Sequence, residues 1–271
     1  MTDEDFARQI RRDTLDMCYI SRGAHIGSAF SCADIIAVLY NGILTISPLT
    51  MDDPKRDRFI LSKGHVCATL YAALAEREFF PREELMLYAT DGSRLSGHAN
   101  GDVPGVELST GSLGQGVCAA AGFALAAKMD GRHNAIYTLA GDGECEEGCV
   151  WEMALFAAAN HLDNLTLIID RNVLQALGST ETIMSLGDLA VKFRAFGWEA
   201  MDVDGHNHAA LRTAFEAPAD KPKCVIAHTA KGKGVSFMEN NNLWHFKAPQ
   251  GAEYAKAAEE IGGTPLCASL S

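Results

Sequence analysis

The chain has 271 residues, 48% of them hydrophobic and 21% charged, with a formal net charge of -12. That size and apolar content fit one globular domain with a large core, and the acidic balance argues against a nucleic-acid surface, which needs clustered Lys and Arg. No apolar run reaches the roughly 18 residues of a membrane span, and the opening "MTDEDFARQIRRD" lacks the apolar stretch of a signal peptide.

Taken in chain order, helical periodicity covers 5–21 and 31–40, followed by a short β-like run, "RFILS", at 58–62. Helical patterns at 66–78 and 116–129 precede the run "AIYTLA" at 135–140, a helix at 147–160 and "NLTLIID" at 164–170. The run "EAMDVD" at 199–204, a helix at 208–217 and "KCVIAHT" at 223–229 complete the series. Strands alternating with helices predict an α/β fold of three layers, a mainly parallel sheet with helices on both faces. Residues 1–250 read as one domain, and 251–271 as a weakly patterned C-terminal tail at the surface.

The eight cysteines are scattered, with no C-x-x-C pair. We expect reduced, mostly buried thiols in a cytoplasmic protein. Cys145 and Cys149 stand one helical turn apart, but two cysteines without a neighbouring His make a poor zinc site.

The most informative stretch is "GDGECEEGCVWE", directly after the run that ends at Ala140. G-D-G by itself describes a tight turn, and the glutamates an acidic helix start near Glu146 that complements the helix dipole. The next strand ends beside Asn172, thirty residues after Asp142. A βαβ crossover makes the two strands parallel, so both residues emerge at one edge of the sheet. A carboxylate and an amide oxygen there form a hard, oxygen-rich partial site suited to Mg²⁺ completed by ligand phosphates. Gly141 and Gly143 let a diphosphate approach the backbone, and the following helix N-terminus favours an anion.

"GDGECEEGCVWE" with "NLTLIIDRN" resembles the thiamine diphosphate motif, and from about Arg8 to Gln250 the chain resembles the N-terminal domain of transketolases. Four histidines fall in matching segments: His25 in "RGAHIGSAFS", His65 in "RFILSKGH", His98 in "LSGHANG" and His245 in "NNLWHFKAPQG". Each alone is more often a loop or core histidine. The resemblance implies that His65 contacts the cofactor diphosphate, that His25 and His98 line the sugar path, and that His245 lies near both cofactor and donor sugar. Here the fourth segment reads His-Phe-Lys-Ala-Pro where the family has His-Gly-Ala-Pro.

The resemblance also implies that Gly111, Ser112 and Leu113 lie against the cofactor with Asp142, Gly143 and Asn172. Mg²⁺, or Ca²⁺ or Mn²⁺ in its place, takes Asp142, Asn172 and the main-chain carbonyl of Leu174. Glu147 and Glu152 fall at a subunit boundary, as does the helix after Gly116, whereas Glu144 and Glu146 read as charge favouring a helix start. His161 reads as structural. The implied activity is transfer of a two-carbon ketol unit from a ketose, expected as a phosphate ester, to an aldose. The pyrimidine-binding domain of full transketolases is expected on a separate C-terminal subunit, in an α2β2 assembly. The alternatives are the α chain of another thiamine-dependent enzyme, of the oxoacid dehydrogenase type, or a non-catalytic cofactor-binding module.

Overall fold

The computed structural model describes residues 1–267. Helix α1, Asp3–Ser21, opens on Thr2, whose side chain accepts the Asp5 N–H at 3.1 Å, with Asp3, Glu4 and Asp5 in its first turn. The helix expected at 31–40 is shorter, α3 (Ala33–Val38), set off by Cys32 from a separate short helix α2 (Ile26–Ser31) before it, and then widens into a turn at Leu39–Ile43. The break reflects local geometry: Cys32 leaves helical angles, with φ -98° and ψ 4°, and Gly42 takes φ 130°.

Strand β1 (Arg58–Leu61) leads through a tight turn into α4 (Cys67–Glu76). Then come α5 (Gln115–Met129), β2 (Ile136–Gly141), α6 (Gly148–Ala159) and β3 (Leu165–Arg171). The connection beyond β3 carries α7 (Thr180–Ile183) and α8 (Leu189–Ala195), two short helices with no periodic signature in the sequence. Strand β4 (Glu199–Asp204), α9 (His208–Glu216) and β5 (Lys223–His228) close the sheet.

All pairings are parallel, in the order β1-β2-β3-β5-β4. Side chains alternate between the two faces, as strand geometry requires. Phe59, Leu61, Tyr137, Leu139, Ile168 and Val225 enter one core, under α1, α3, α4 and α9. Ile60, Ile136, Ala140, Leu167, Ile169 and Ile226 enter the other, under α5, α6 and α8. Both faces are thus covered, which is why the central strands β2, β3 and β5 read as nearly continuous apolar runs, whereas the edge strand β4 alternates. Among the described residues no helix is long and apolar enough to cross a membrane.

Two expectations are corrected. The helix after G-D-G begins at Gly148, because residues Asp142–Glu146 form a tighter 3-10 turn first. The segment after Gly251 is not a surface tail: Ala252–Ile261 form α10, which buries Tyr254, Ala257 and Ile261 in a third core with Leu15, Cys18, Phe30 and Trp244. Its apolar residues at i, i+3 and i+7 make a single narrow stripe, easily missed in a ten-residue helix. Residues 268–271 of the expected tail lie outside the described residues.

Tyr254 stacks on Tyr19 at 4.0 Å and donates to the buried Asp16 at 2.8 Å. We expect Tyr254→Ala to lower stability by about 3 kcal/mol, the usual cost of deleting a buried aromatic ring. Urea unfolding with an unchanged midpoint would show that α10 does not dock.

Candidate functional site: a cleft at the carboxyl edge of the sheet

Parallel strands point their carboxyl ends at one edge, the usual ligand site of such sheets. Here that edge receives the turn after β1 with Ser62, Lys63 and His65, the turn after β2 with Asp142–Glu144, and the turn after β3 with Asn172–Gln175. They surround a cavity of about 320 Å³, to which His25, Ser28, His98, Gly111, Leu113 and His245 also contribute.

The four expected histidines converge. The His25 ring lies 5.2 Å from His65, 5.9 Å from His98 and 5.0 Å from His245, and His65 lies 6.1 Å from His245. His25 takes a left-handed backbone, φ 71°, and its N–H donates to the His245 carbonyl at 2.9 Å. Burial lowers the His25 imidazole to about 4, helped by His98 and Lys231, and lowers His245 to about 4, helped by Lys231 and His25. His65 is held well below 6.5 by burial and by Lys63. These three rings are therefore neutral at neutral pH, each with one N–H donor and one acceptor nitrogen.

On the opposite wall, Asp142 is buried, and its two oxygens accept the N–H groups of Gly143 at 2.9 Å and Val173 at 2.7 Å. Burial, seconded by the nearby Asp170, raises its carboxyl to about 6. The Asn172 amide nitrogen donates to Asp170 at 3.2 Å and Ser31 at 3.3 Å, which fixes its orientation, and its oxygen accepts the Leu174 N–H at 3.1 Å. Between them Val173 holds φ 58°, a strained backbone for a β-branched residue. This turn places Leu174 on the cavity wall, its carbonyl accepting Lys231 Nζ at 3.2 Å.

The donor set fits a hard divalent cation. A carboxylate raised by burial next to a second acidic group gains from positive charge, and carboxylate, amide and carbonyl oxygens are the ligands Mg²⁺ and Ca²⁺ accept. Among the described residues no group of three His, Cys, Asp or Glu could hold a cation, so a cation at this edge would need ligand oxygens or water to complete its shell. The place for such ligands is open, since a Cβ added at Gly141 would meet nothing within 4 Å.

Several features have no counterpart in the sequence reading. Two buried lysines bring positive charge to the site. Lys63 Nζ contacts Asp170 at 2.5 Å; burial alone would lower this ammonium, but the Asp170 charge holds it above its ordinary value. Lys231 Nζ donates to the Leu174 carbonyl at 3.2 Å and to Asn242 and His245 Nδ1 at 3.1 Å, and burial lowers it to about 8. The available signals were "SKGH" after β1 and "TAKGKG" after β5.

Glu144 stands in the first turn of the 3-10 segment Asp142–Glu146 and caps its start through the Gly141 N–H, as expected of charge at a helix start, but it also does more. Glu144 is buried and accepts from Ser62 at 2.7 Å and from the N–H groups of Gly114 and Gly141 at 2.9 Å, tying three turns together. Burial raises its carboxyl despite those bonds. Glu146 bonds Gln175. Ser112 opens on a neighbouring depression that shares Gly111, outside the main cleft. Glu147 and Glu152 are exposed and away from the cleft, with Glu152 on a stretch of α6 that also exposes Leu155 (58%) and Phe156 (41%). The His161 carbonyl accepts Lys128 Nζ at 2.5 Å, apart from the site.

The depressed histidines make stability pH-dependent. Between about 6.5 and about 4 the unfolded chain binds more protons than the folded one, so this contribution is full above 6.5 and is lost as pH falls toward 4. Paired His25→Gln and His245→Gln substitutions should flatten the fall in urea midpoint between those pH values. An unchanged slope would contradict neutral histidines.

Comparison with known proteins agrees with this geometry. The family described as "Transketolase, thiamine diphosphate binding domain" matches residues 2–266. One of the named subunits of the apulose-4-phosphate transketolase of Phocaeicola vulgatus is 39% identical over 254 residues, 93% of this chain and 90% of that protein. The 6-deoxy-6-sulfo-D-fructose transketolase subunit SqwG of a Clostridium species is 41% identical over 243 residues, 88% of each chain. The rat transketolase is 37% identical over 245 residues, and the match spans only 39% of that longer protein. The crystal structure of the Campylobacter jejuni transketolase superimposes with a TM-score of 0.91 at 31% identity, covering 99% of this chain and 44% of that one. The chain belongs to the transketolase family, as its thiamine diphosphate-binding N-terminal part, and it matches relatives named as transketolase subunits over nearly their full length.

Proposed function

We propose that this chain is the N-terminal subunit of a split transketolase, a transferase that moves a two-carbon ketol unit from a phosphorylated ketose to an aldose. The observation that carries the reading is the single cleft in which four histidines face the Asp142–Asn172 edge. Bound thiamine diphosphate supplies the carbanion chemistry that breaks and forms the carbon–carbon bond. Asp142, Asn172 and the Leu174 carbonyl would hold the Mg²⁺, with Ca²⁺ or Mn²⁺ as substitutes. Gly111, Leu113, Gly143 and His65 would lie against the cofactor, with Ser112 at the margin.

Lys63 and Lys231 balance the diphosphate charge that an acidic chain otherwise repels. His25, His98 and His245 would face the sugar. Because Lys231 donates to His245 Nδ1, the His245 proton resides on Nε2, free to donate to a substrate oxygen. The neutral imidazoles of His25 and His245 suit hydroxyl and carbonyl partners, and their partial burial limits competition from water.

The partner chain would bring the pyrimidine-binding half of the site, in an α2β2 assembly that retains two-fold symmetry. Glu147, Glu152 and the exposed Leu155 and Phe156 would lie toward a subunit boundary, where exposed apolar groups gain most from cover. The free cysteines accord with a reducing, cytoplasmic setting.

The test is reconstitution with the candidate C-terminal subunit, thiamine diphosphate and Mg²⁺, followed by a donor–acceptor screen of sugar phosphates. We expect transfer only when both chains are present, and a loss of at least about a hundredfold with Asp142→Ala, of the order of one electrostatic stabiliser. Turnover by this chain alone would contradict the proposal.

A further inference from the structure

His206 lies outside the cleft, in the turn after β4, and both ring nitrogens are engaged. Nδ1 stands 2.7 Å from Asp34 Oδ2, and Nε2 accepts the Ala230 N–H at 2.8 Å. A backbone N–H only donates, so Nε2 carries no proton and the ring proton sits on Nδ1, facing Asp34. Asp34 is itself immobilised: Arg11 grips both its oxygens, at 3.0 and 2.5 Å, and His208 Nε2 lies at 2.8 Å. Arg11 also donates to the Phe30 carbonyl of α2 at 3.3 Å. This cluster therefore joins α1, α2, α3 and the β4–α9 turn, and fixes one tautomer of His206.

What His206 holds is the segment that enters the cleft. Ala230 is followed by Lys231, whose Nζ reaches the Leu174 carbonyl, Asn242 and His245 Nδ1. The backbone of this segment is held further by Gly232 N–H donating to the Gly27 carbonyl at 2.8 Å, and Asn240 N–H to the Lys231 carbonyl at 2.8 Å. On its upstream side Thr229 is held by Asp170 and by the Arg171 carbonyl and packs against the turn of His206, where a Cβ at Gly205 would come within 2.5 Å of Thr229 Cγ2. We propose that His206, its tautomer set by Asp34, is a positioning residue for Lys231 and thereby sets the tautomer of His245 in the cleft. The line of donors runs in one direction: Asp34 accepts from His206 Nδ1, His206 Nε2 accepts from Ala230, and His245 Nδ1 accepts from Lys231. If the Ala230 peptide is not held, Lys231 Nζ shifts among its three acceptors and the proton on His245 is no longer confined to Nε2.

The inference rests on the role of His245 given above, and its test separates the two. Nitrogen-15 NMR of the full chain at about pH 6.5, where His245 is neutral and Lys231 still charged, should find His206 as the Nδ1–H tautomer and His245 as the Nε2–H tautomer. His206→Leu should leave a cooperative thermal transition but average the two tautomers of His245. It should also weaken thiamine diphosphate binding in Mg²⁺ about fivefold, the order of one hydrogen bond. His206→Gln keeps one acceptor and one donor, and should restore both readouts. A proton on Nε2 of His206 in the parent chain, or a His245 tautomer unchanged by His206→Leu, overturns the inference. The parent-chain spectrum decides it even where the leucine variant does not fold. Both tautomers as stated, with no cofactor binding by the assembled enzyme, would support this inference and contradict the proposed function instead.

Discussion

The structure of the cleft depends on one buried ion pair, Lys63 with Asp170. Asp170 has no exposed surface and sits near the carboxyl end of β3. It accepts from Lys63 beyond β1, from Ser31 at the end of α2, from Thr229 beyond β5 and from Asn172 in its own turn. Burial would raise this carboxyl, and the Lys63 ammonium instead holds it low and ionised. Four separate segments are thereby registered against one charge, at the edge where the candidate cation and diphosphate site lies. Such a pair adds little net stability once desolvation is counted, yet breaking it leaves a buried charge uncompensated. Its value here is geometric: it turns the Asn172 amide so that its oxygen faces away from Asp170.

From that constraint the electrostatics of the cleft follow. Lys63 and Lys231 bring two ammonium groups into an acidic chain, and both lower the affinity of the neighbouring histidines for protons. The histidines stay neutral because of burial and the lysines, and the lysines are held by Asp170 and by main-chain and side-chain oxygens. Asp142 faces the reverse problem, since burial and Asp170 both push it toward protonation. A divalent cation with diphosphate oxygens resolves that conflict without moving any other group.

Much of this is legible in the sequence, for identifiable reasons. The five expected strands match β1 to β5 closely: β2, β3 and β5, covered on both faces, read as apolar runs, and the edge strand β4 reads instead by alternation of apolar and acidic residues. Asp142 and Asn172 are readable as neighbours, since a βαβ unit leaves little freedom in where its strands end. The four histidines are found through motif resemblance, not periodicity, and they meet in one cavity. The buried lysines are not legible, because nothing in local pattern separates a lysine paired inside the fold from a solvated one. Glu144 is hidden for the same reason: an acidic residue after a strand suits a helix start equally well, and only the approach of Gly114 and Ser62 reveals its role. The division of α2 from α3 turns on the backbone angles of one residue, Cys32, and the docking of α10 on long-range packing against α1, neither of which a short sequence window captures.

The measurement that bears most directly on the account is calorimetric titration of the chain, assembled with its partner, with thiamine diphosphate and separately with unphosphorylated thiamine, each with and without Mg²⁺. If the Asp142–Asn172 edge holds a metal-bridged diphosphate, thiamine diphosphate binds tightly only with the metal, and thiamine binds weakly under both conditions. Equal affinity for the two compounds, or tight thiamine diphosphate binding without a divalent cation, would contradict it.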